Sequence, residues 1–201
     1  MLYYSARQWA VIAAITAAAA AGHAQEHRDA PPIPDAAFLT GDARLACEAI
    51  LCLSTGTRPG ECTQSIKRYF SITHRKLSKT LKARRSFLNL CPSSNQDDNM
   101  PALVNAIANG AGRCDANSLN ATLGSINKGV RTTSNVSPAH CTAYASHPYT
   151  QLSPYTARYV GVPERGGLWV EPEQFDKAQA AYSARMAAED NAPRSPSGFH
   201  H

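Results

Sequence analysis

Residues 42–70 read DARLACEAILCLSTGTRPGECTQSIKRYF. Asp42 is a good helix N-cap. Leu45, Ala46, Ala49, Ile50 and Leu53 then recur at three- and four-residue spacing. That pattern predicts a helix from Asp42 to about Leu53 with one apolar stripe. Thr55-Gly-Thr-Arg-Pro-Gly60 breaks it with a turn. A second helix is expected from Glu61 to about Phe70, with Cys62, Ile66 and Tyr69 on one side. Cys47 and Cys52 share the first helix, about 140° apart around its axis at 3.6 residues per turn. They point different ways and are not expected to bond each other.

Outward from this block the same alternation of helices and short breaks continues. Ser78 to Cys91 presents Leu81, Phe87 and Leu88 and stops at Pro92. A polar loop, 93–99, leads to Pro101 at a first helical position, followed by Leu103, Val104 and Ile107, with Gly110 and Gly112 ending that helix. Asp115 caps the next helix, with Leu119, Leu123 and Ile126 expected on its buried side, and residues 128–136 read as a surface loop. Ser137-Pro138 opens a short helix bearing Cys141 and Tyr144. The character changes after His147. Tyr159, Val160 and Val162, then Leu168, Trp169 and Val170, flank Pro163-Glu-Arg-Gly-Gly167, as a small hairpin or an irregular loop. Trp169 and the tyrosines either cover the core or form an aromatic patch for a partner. A last helix is expected over 171–189, then a frayed tail. The fold class expected is mainly α: a small helical domain stapled by disulfides, 42–170, with an irregular or short β-hairpin C-terminal segment. An extended lead-in over 25–41 carries Pro31, Pro32 and Pro34. Residues 171–201 form the C-terminal helix and disordered tail.

The amino terminus explains the cysteines. Arg7 precedes a charge-free apolar run from Trp9 to Ala21, and Gly22-His-Ala24 supplies a small-x-small site. This describes a secretory signal peptide, 1–24, cleaved after Ala24. The run falls short of the roughly 20 residues of a membrane span. All six cysteines, Cys47, Cys52, Cys62, Cys91, Cys114 and Cys141, follow it. An even number in an exported chain points to disulfides. Fifteen pairings are open to six cysteines, and sequence alone does not choose. We expect Cys47–Cys91 between helices, Cys52–Cys62 across a turn, and Cys114–Cys141 in the second half. No Cys-x-x-Cys pair is present, and His140 beside Cys141 is a poor chelating arrangement, so no metal or other cofactor is expected.

Formal net charge is +5 at pH 7. No acidic residue occurs between Thr63 and Gln96, while Lys67, Arg68, Arg75, Lys76, Lys79, Lys82, Arg84 and Arg85 do. A positive face results, suited to anionic lipid headgroups at a membrane surface, an acidic protein, or merely to solvent. Nothing signals sequence-specific reading of nucleic acid. Enzyme motifs are absent: no Gly-x-Ser-x-Gly, no His-Glu-x-x-His, no phosphate-binding glycine loop. Glu48 with Glu61 is conceivable as an acid pair for cutting glycan. Pairing of Glu48 with Arg44 on the helix surface is the better reading. No catalytic residue is therefore expected.

Four blocks resemble one family. Leu45-Ala-Cys-Glu-Ala-Ile-Leu-Cys-Leu-Ser54 with Gly56-Thr-Arg-Pro59 and Glu61-Cys62 is similar to the opening of the TrbM/KikA family of conjugal-transfer proteins. Phe87-Leu-Asn-Leu-Cys-Pro92, Asn109-Gly-Ala-Gly-Arg-Cys-Asp115 and Tyr159-Val-Gly-x-Pro-Glu-Arg-Gly-Gly167 continue the resemblance. It implies a periplasmic accessory of plasmid conjugation in a Gram-negative cell, encoded with the type IV secretion apparatus. Its partners would be other conjugation or secretion proteins, and no catalytic residues carry over. Protein binding would use the basic 67–85 surface or the aromatic segment with Tyr159, Arg165 and Trp169. A cell-wall hydrolase and a secreted effector are the rival classes. Export makes a direct prediction: amino-terminal sequencing of protein recovered from the periplasm starts at Gln25. A start at Met1 would show an uncleaved anchor instead.

Overall fold

The structure, a computed structural model, describes residues 39–192 apart from Lys128. The expected signal segment 1–24, the expected lead-in up to residue 38 and the tail 193–201 lie outside the described residues. Four helices build the main body: α1 Gly41–Leu53, α2 Cys62–Ser71, α3 Leu77–Leu88 and α4 Met100–Gly110. Then come α5 Ala116–Leu123, the hairpin β1 Gly124–Asn127 and β2 Val130–Thr133, and α6 Ala139–Ala145. A second hairpin, β3 Arg158–Val160 and β4 Leu168–Val170, precedes α7 Phe175–Asp190.

The apolar stripe of α1 becomes the centre of the core. Ala46, Ala49 and Leu53 have no exposed surface, and Tyr69, Leu88, Ile107 and Ala108 join them at 0%. Burying each large apolar side chain contributes about 1.5–3 kcal/mol. Two alanines on α1 let its neighbours come close. Tyr69 fills the remaining space, and its hydroxyl donates to the Ile107 carbonyl at 3.2 Å. Tyr144 of α6 likewise donates to the Leu53 carbonyl, so α6 closes the bundle over the end of α1. A smaller cluster of Ala116, Leu119, Cys141 and Trp169 joins α5, α6 and β4.

Three disulfides cross-link this body: Cys47–Cys91, Cys52–Cys62 and Cys114–Cys141. The first ties α1 to the chain just after α3, the second spans the α1–α2 turn, and the third fixes α6 to the segment before α5.

Several expectations need correction. Ile126 is not on the buried side of α5. Gly124 ends that helix, and Ile126 stands 75% exposed on β1. The expected surface loop 128–136 contains a strand, β2, paired antiparallel with β1. Gly129 at φ +78° supplies the left-handed residue of the tight connection, a conformation that costs glycine least. α3 stops at Leu88, ahead of the expected Cys91, because Leu90 and Cys91 bond back to Phe87 and Leu88 in tight turns. Between hairpin and irregular loop for 159–170, the structure has the hairpin, in the register Arg158↔Val170, Tyr159↔Trp169 and Val160↔Leu168. The last helix begins at Phe175, because residues Pro172–Gln174 form a 3-10 turn first.

Loop length ranks the cross-links. Their sequence separations are 44, 27 and 10 for Cys47–Cys91, Cys114–Cys141 and Cys52–Cys62. Restriction of the unfolded chain then gives about 4, 3.5 and 2.7 kcal/mol respectively. Replacing each pair by serine should lower urea stability in that order. A reversed order would mean that native packing, not chain entropy, sets their value.

Candidate functional site

Two features stand out: the basic stretch and one cavity. The basic stretch divides. Arg84 is only 8% exposed. Its guanidinium lies 4.9 Å from the Tyr69 ring centroid and 5.1 Å from that of Phe70, and its Nε donates to the Ile72 carbonyl at 3.2 Å. It belongs to the core wall. Burial pushes the Tyr69 phenol up to about 12, against the opposing pull of the Arg84 charge. Arg68 is also committed: it bonds both carboxylate oxygens of Asp42, at 3.0 and 2.6 Å, and covers Phe87. Its hydrogen bonding holds the Asp42 carboxyl below the usual carboxylate range.

Lys67, Arg75, Lys76, Lys79, Lys82 and Arg85 are different. All are exposed, and none has an ion-pair partner among the described residues. On α3 the buried residues are Thr80, Arg84, Phe87 and Leu88. Lys79, Lys82 and Arg85 follow at three-residue steps, so they occupy about 120° of arc on the opposite side.

The aromatic segment is mostly structural. Trp169 is 7% exposed, and its Nε1 donates to the Ser134 carbonyl at 2.9 Å. Tyr159 meets it edge to face and donates to the Thr133 carbonyl at 2.7 Å. Arg165 pairs with Glu189 and Asp190 of α7. These three residues hold the hairpins and α7 together; Trp169 is buried, and Tyr159 and Arg165 are half-buried.

The cavity, about 590 Å³, opens among the end of α4, α6, the 152–157 turn and β4. Phe70, Tyr144 and Trp169 line it together with Gly110 and Gly112. Both glycines are needed. A Cβ at Gly110 would lie 2.5 Å from Tyr144, and one at Gly112 (φ +72°) would lie 2.6 Å from Phe70. The Asn109–Asp115 block therefore shapes this wall; neither charge nor motif pattern pointed to a cavity there. Its carboxylates are already engaged. Asp115 accepts from Ser118 N at 2.9 Å, and Glu171 accepts from Ala116 N at 2.7 Å, together capping α5.

The sulfurs of Cys114 and Cys141 converge with a nitrogen of His140. The two sulfurs are bonded to each other, so the group offers a metal only the imidazole. Partial burial, with the Arg113 charge beside it, pulls His140 below its ordinary value. Glu48 is paired with Arg44 one helical turn away, and Glu61 is exposed at the start of α2.

The division of the basic stretch is testable. Arg84→Lys loses the planar stack on two rings and should cost about 1–3 kcal/mol in urea unfolding. Lys82→Ala should stay within about 0.5 kcal/mol. Equal effects would place Arg84 with the surface cations.

The sequence model of the TrbM family matches residues 38–183. No curated protein and no solved structure matches the chain.

Proposed function

The chain belongs to the TrbM family and is a conjugal-transfer-related protein, and from that premise we propose that it is a periplasmic accessory of mating-pair formation, acting by protein binding. The match carries the proposal because it spans all three disulfides, both hairpins and the cavity in one stretch. Disulfides support export, since they persist in oxidising compartments such as the periplasm. No helix of the described residues is long and apolar enough to cross a membrane. A structural or assembly role accords with the chemistry. The cysteines are cross-linked, and the carboxylates at the cavity cap a helix. Glu48, the acid considered for glycan cleavage, is held by Arg44. A rigid, cross-linked domain suits the job of holding an apparatus component in place, because it loses little conformational freedom on binding.

The test is genetic. Deletion of the reading frame in its replicon, with complementation in trans, should sharply lower the count of transconjugants. Restoration by the wild-type gene but not by a Cys114→Ser/Cys141→Ser variant would tie the loss to the folded domain. Unchanged transfer on solid and in liquid medium would remove the proposal.

A further inference from the structure

We propose that the outer face of α3 is a membrane-docking surface that takes the phosphate headgroups of an anionic bilayer. Two arginines of the basic stretch are structural. With Arg84 turned into the core and Arg68 bound to Asp42, five exposed cations remain along one short segment: Arg75, Lys76, Lys79, Lys82 and Arg85. No acidic residue lies within that segment or on the exposed arc, which otherwise carries Ser78 and Ser86.

Such an arrangement works against the helix that bears it. Cations three apart repel each other. Arg75, Lys76 and Lys79 gather at the amino-terminal end of α3, where the macrodipole is already positive, and no acidic residue occupies the first turn. An anionic partner relieves both penalties. This segment thus breaks local rules in the way expected of a working surface.

Three observations select lipid among anionic partners. The face is the convex outside of a helix, and the cavity includes no residue of α3. No aromatic ring stands on the exposed arc, so nucleic-acid bases have nothing to stack on. Finally, Leu90, just beyond the end of α3, is 49% exposed. A basic row that ends near an exposed leucine fits a headgroup layer, where cations meet phosphates. The apolar side of α3 is packed in the core, so docking is peripheral and mainly electrostatic.

The experiment uses the purified, oxidised protein and sedimentable vesicles of phosphatidylcholine, with or without phosphatidylglycerol. Binding should require phosphatidylglycerol and should weaken as salt shortens the screening length from about 10 Å at 0.1 M to about 3 Å at 1 M. Each cation near the surface is worth about a fivefold change in partitioning, so the triple variant Lys79→Ala/Lys82→Ala/Arg85→Ala should lose about a hundredfold. Lys82→Arg should retain both binding and its salt sensitivity. Thermal melts of each variant check the fold, and these exposed sites should leave them unchanged. Equal binding to pure phosphatidylcholine, or a triple variant that binds like the wild type, would overturn the inference. So would tighter binding to polyglutamate or single-stranded DNA than to phosphatidylglycerol vesicles at matched charge and salt, which would assign the face to an acidic protein or to nucleic acid. The measurement needs no transfer machinery, so its failure and the failure of the mating assay are separable.

Discussion

Helix α1 is held from two sides, and the rest of the domain is arranged around that constraint. Cys47 leaves one flank to reach Cys91 after α3, and Cys52 leaves another to reach Cys62 at the start of α2. Five residues of helical phase separate the two bonds, so they pull in different directions about the axis. Between them lies the stripe Ala46, Ala49 and Leu53, with no exposed surface. A helix fixed in this way cannot roll, and that fixes which faces of α2 and α3 turn inward. The small side chains of Ala46 and Ala49 make the close approach possible, and the ring of Tyr69 occupies the volume they leave.

The inward faces of α2 and α3 explain why similar residues have different roles. Arg84 falls on the arc with Thr80, Phe87 and Leu88, so its guanidinium is stacked on Tyr69 and Phe70 and bonded to a carbonyl. Burial of a charge at this depth is tolerable because the ring faces and the Ile72 oxygen replace lost water. One residue later the chain has turned by about 100°, and Arg85 faces outward. The sequence presents Arg84-Arg85 as a pair of equals; the phase of the helix separates them.

Legibility followed the strength of the periodic signal. The stripes of α1 and α4 are plain because Ala46, Ala49, Ile50 and Leu53, or Leu103, Val104 and Ile107, keep three- and four-residue spacing. The disulfides join the same three pairs that the sequence reading favoured. Helical phase argues only against Cys47–Cys52, and spacing along the chain leaves the other pairings open. The β1–β2 hairpin was missed because Leu119, Leu123 and Ile126 keep helical spacing through Gly124, and a single glycine is a weak stop signal. Trp169 and Tyr159 were offered both as core and as partner surface. Composition cannot separate these, since the answer lies in the Ser134 and Thr133 carbonyls that receive their polar atoms. The cavity was illegible for another reason. It is a space between segments distant in sequence, with walls set by what Gly110 and Gly112 lack.

The two faces of α3 also decide how docking and assembly fit together. Arg84 on the inner arc touches Phe70, and Phe70 lines the cavity against Gly112. The cavity therefore lies on the inner side of α3, and Lys79, Lys82 and Arg85 lie on the outer side. A bilayer held by the outer cations meets the side of α3 opposite Arg84 and Phe70. At the far end of the chain, Arg165 and Arg185 are neutralised by Glu189 and Asp190, so that region adds little attraction of its own. The five cations from Arg75 to Arg85 stand within eleven residues, and a field from such a row orients the molecule before contact. An accessory protein that meets the membrane in one orientation presents its other surfaces to an envelope-spanning apparatus in a defined direction, which reduces the search a partner must make.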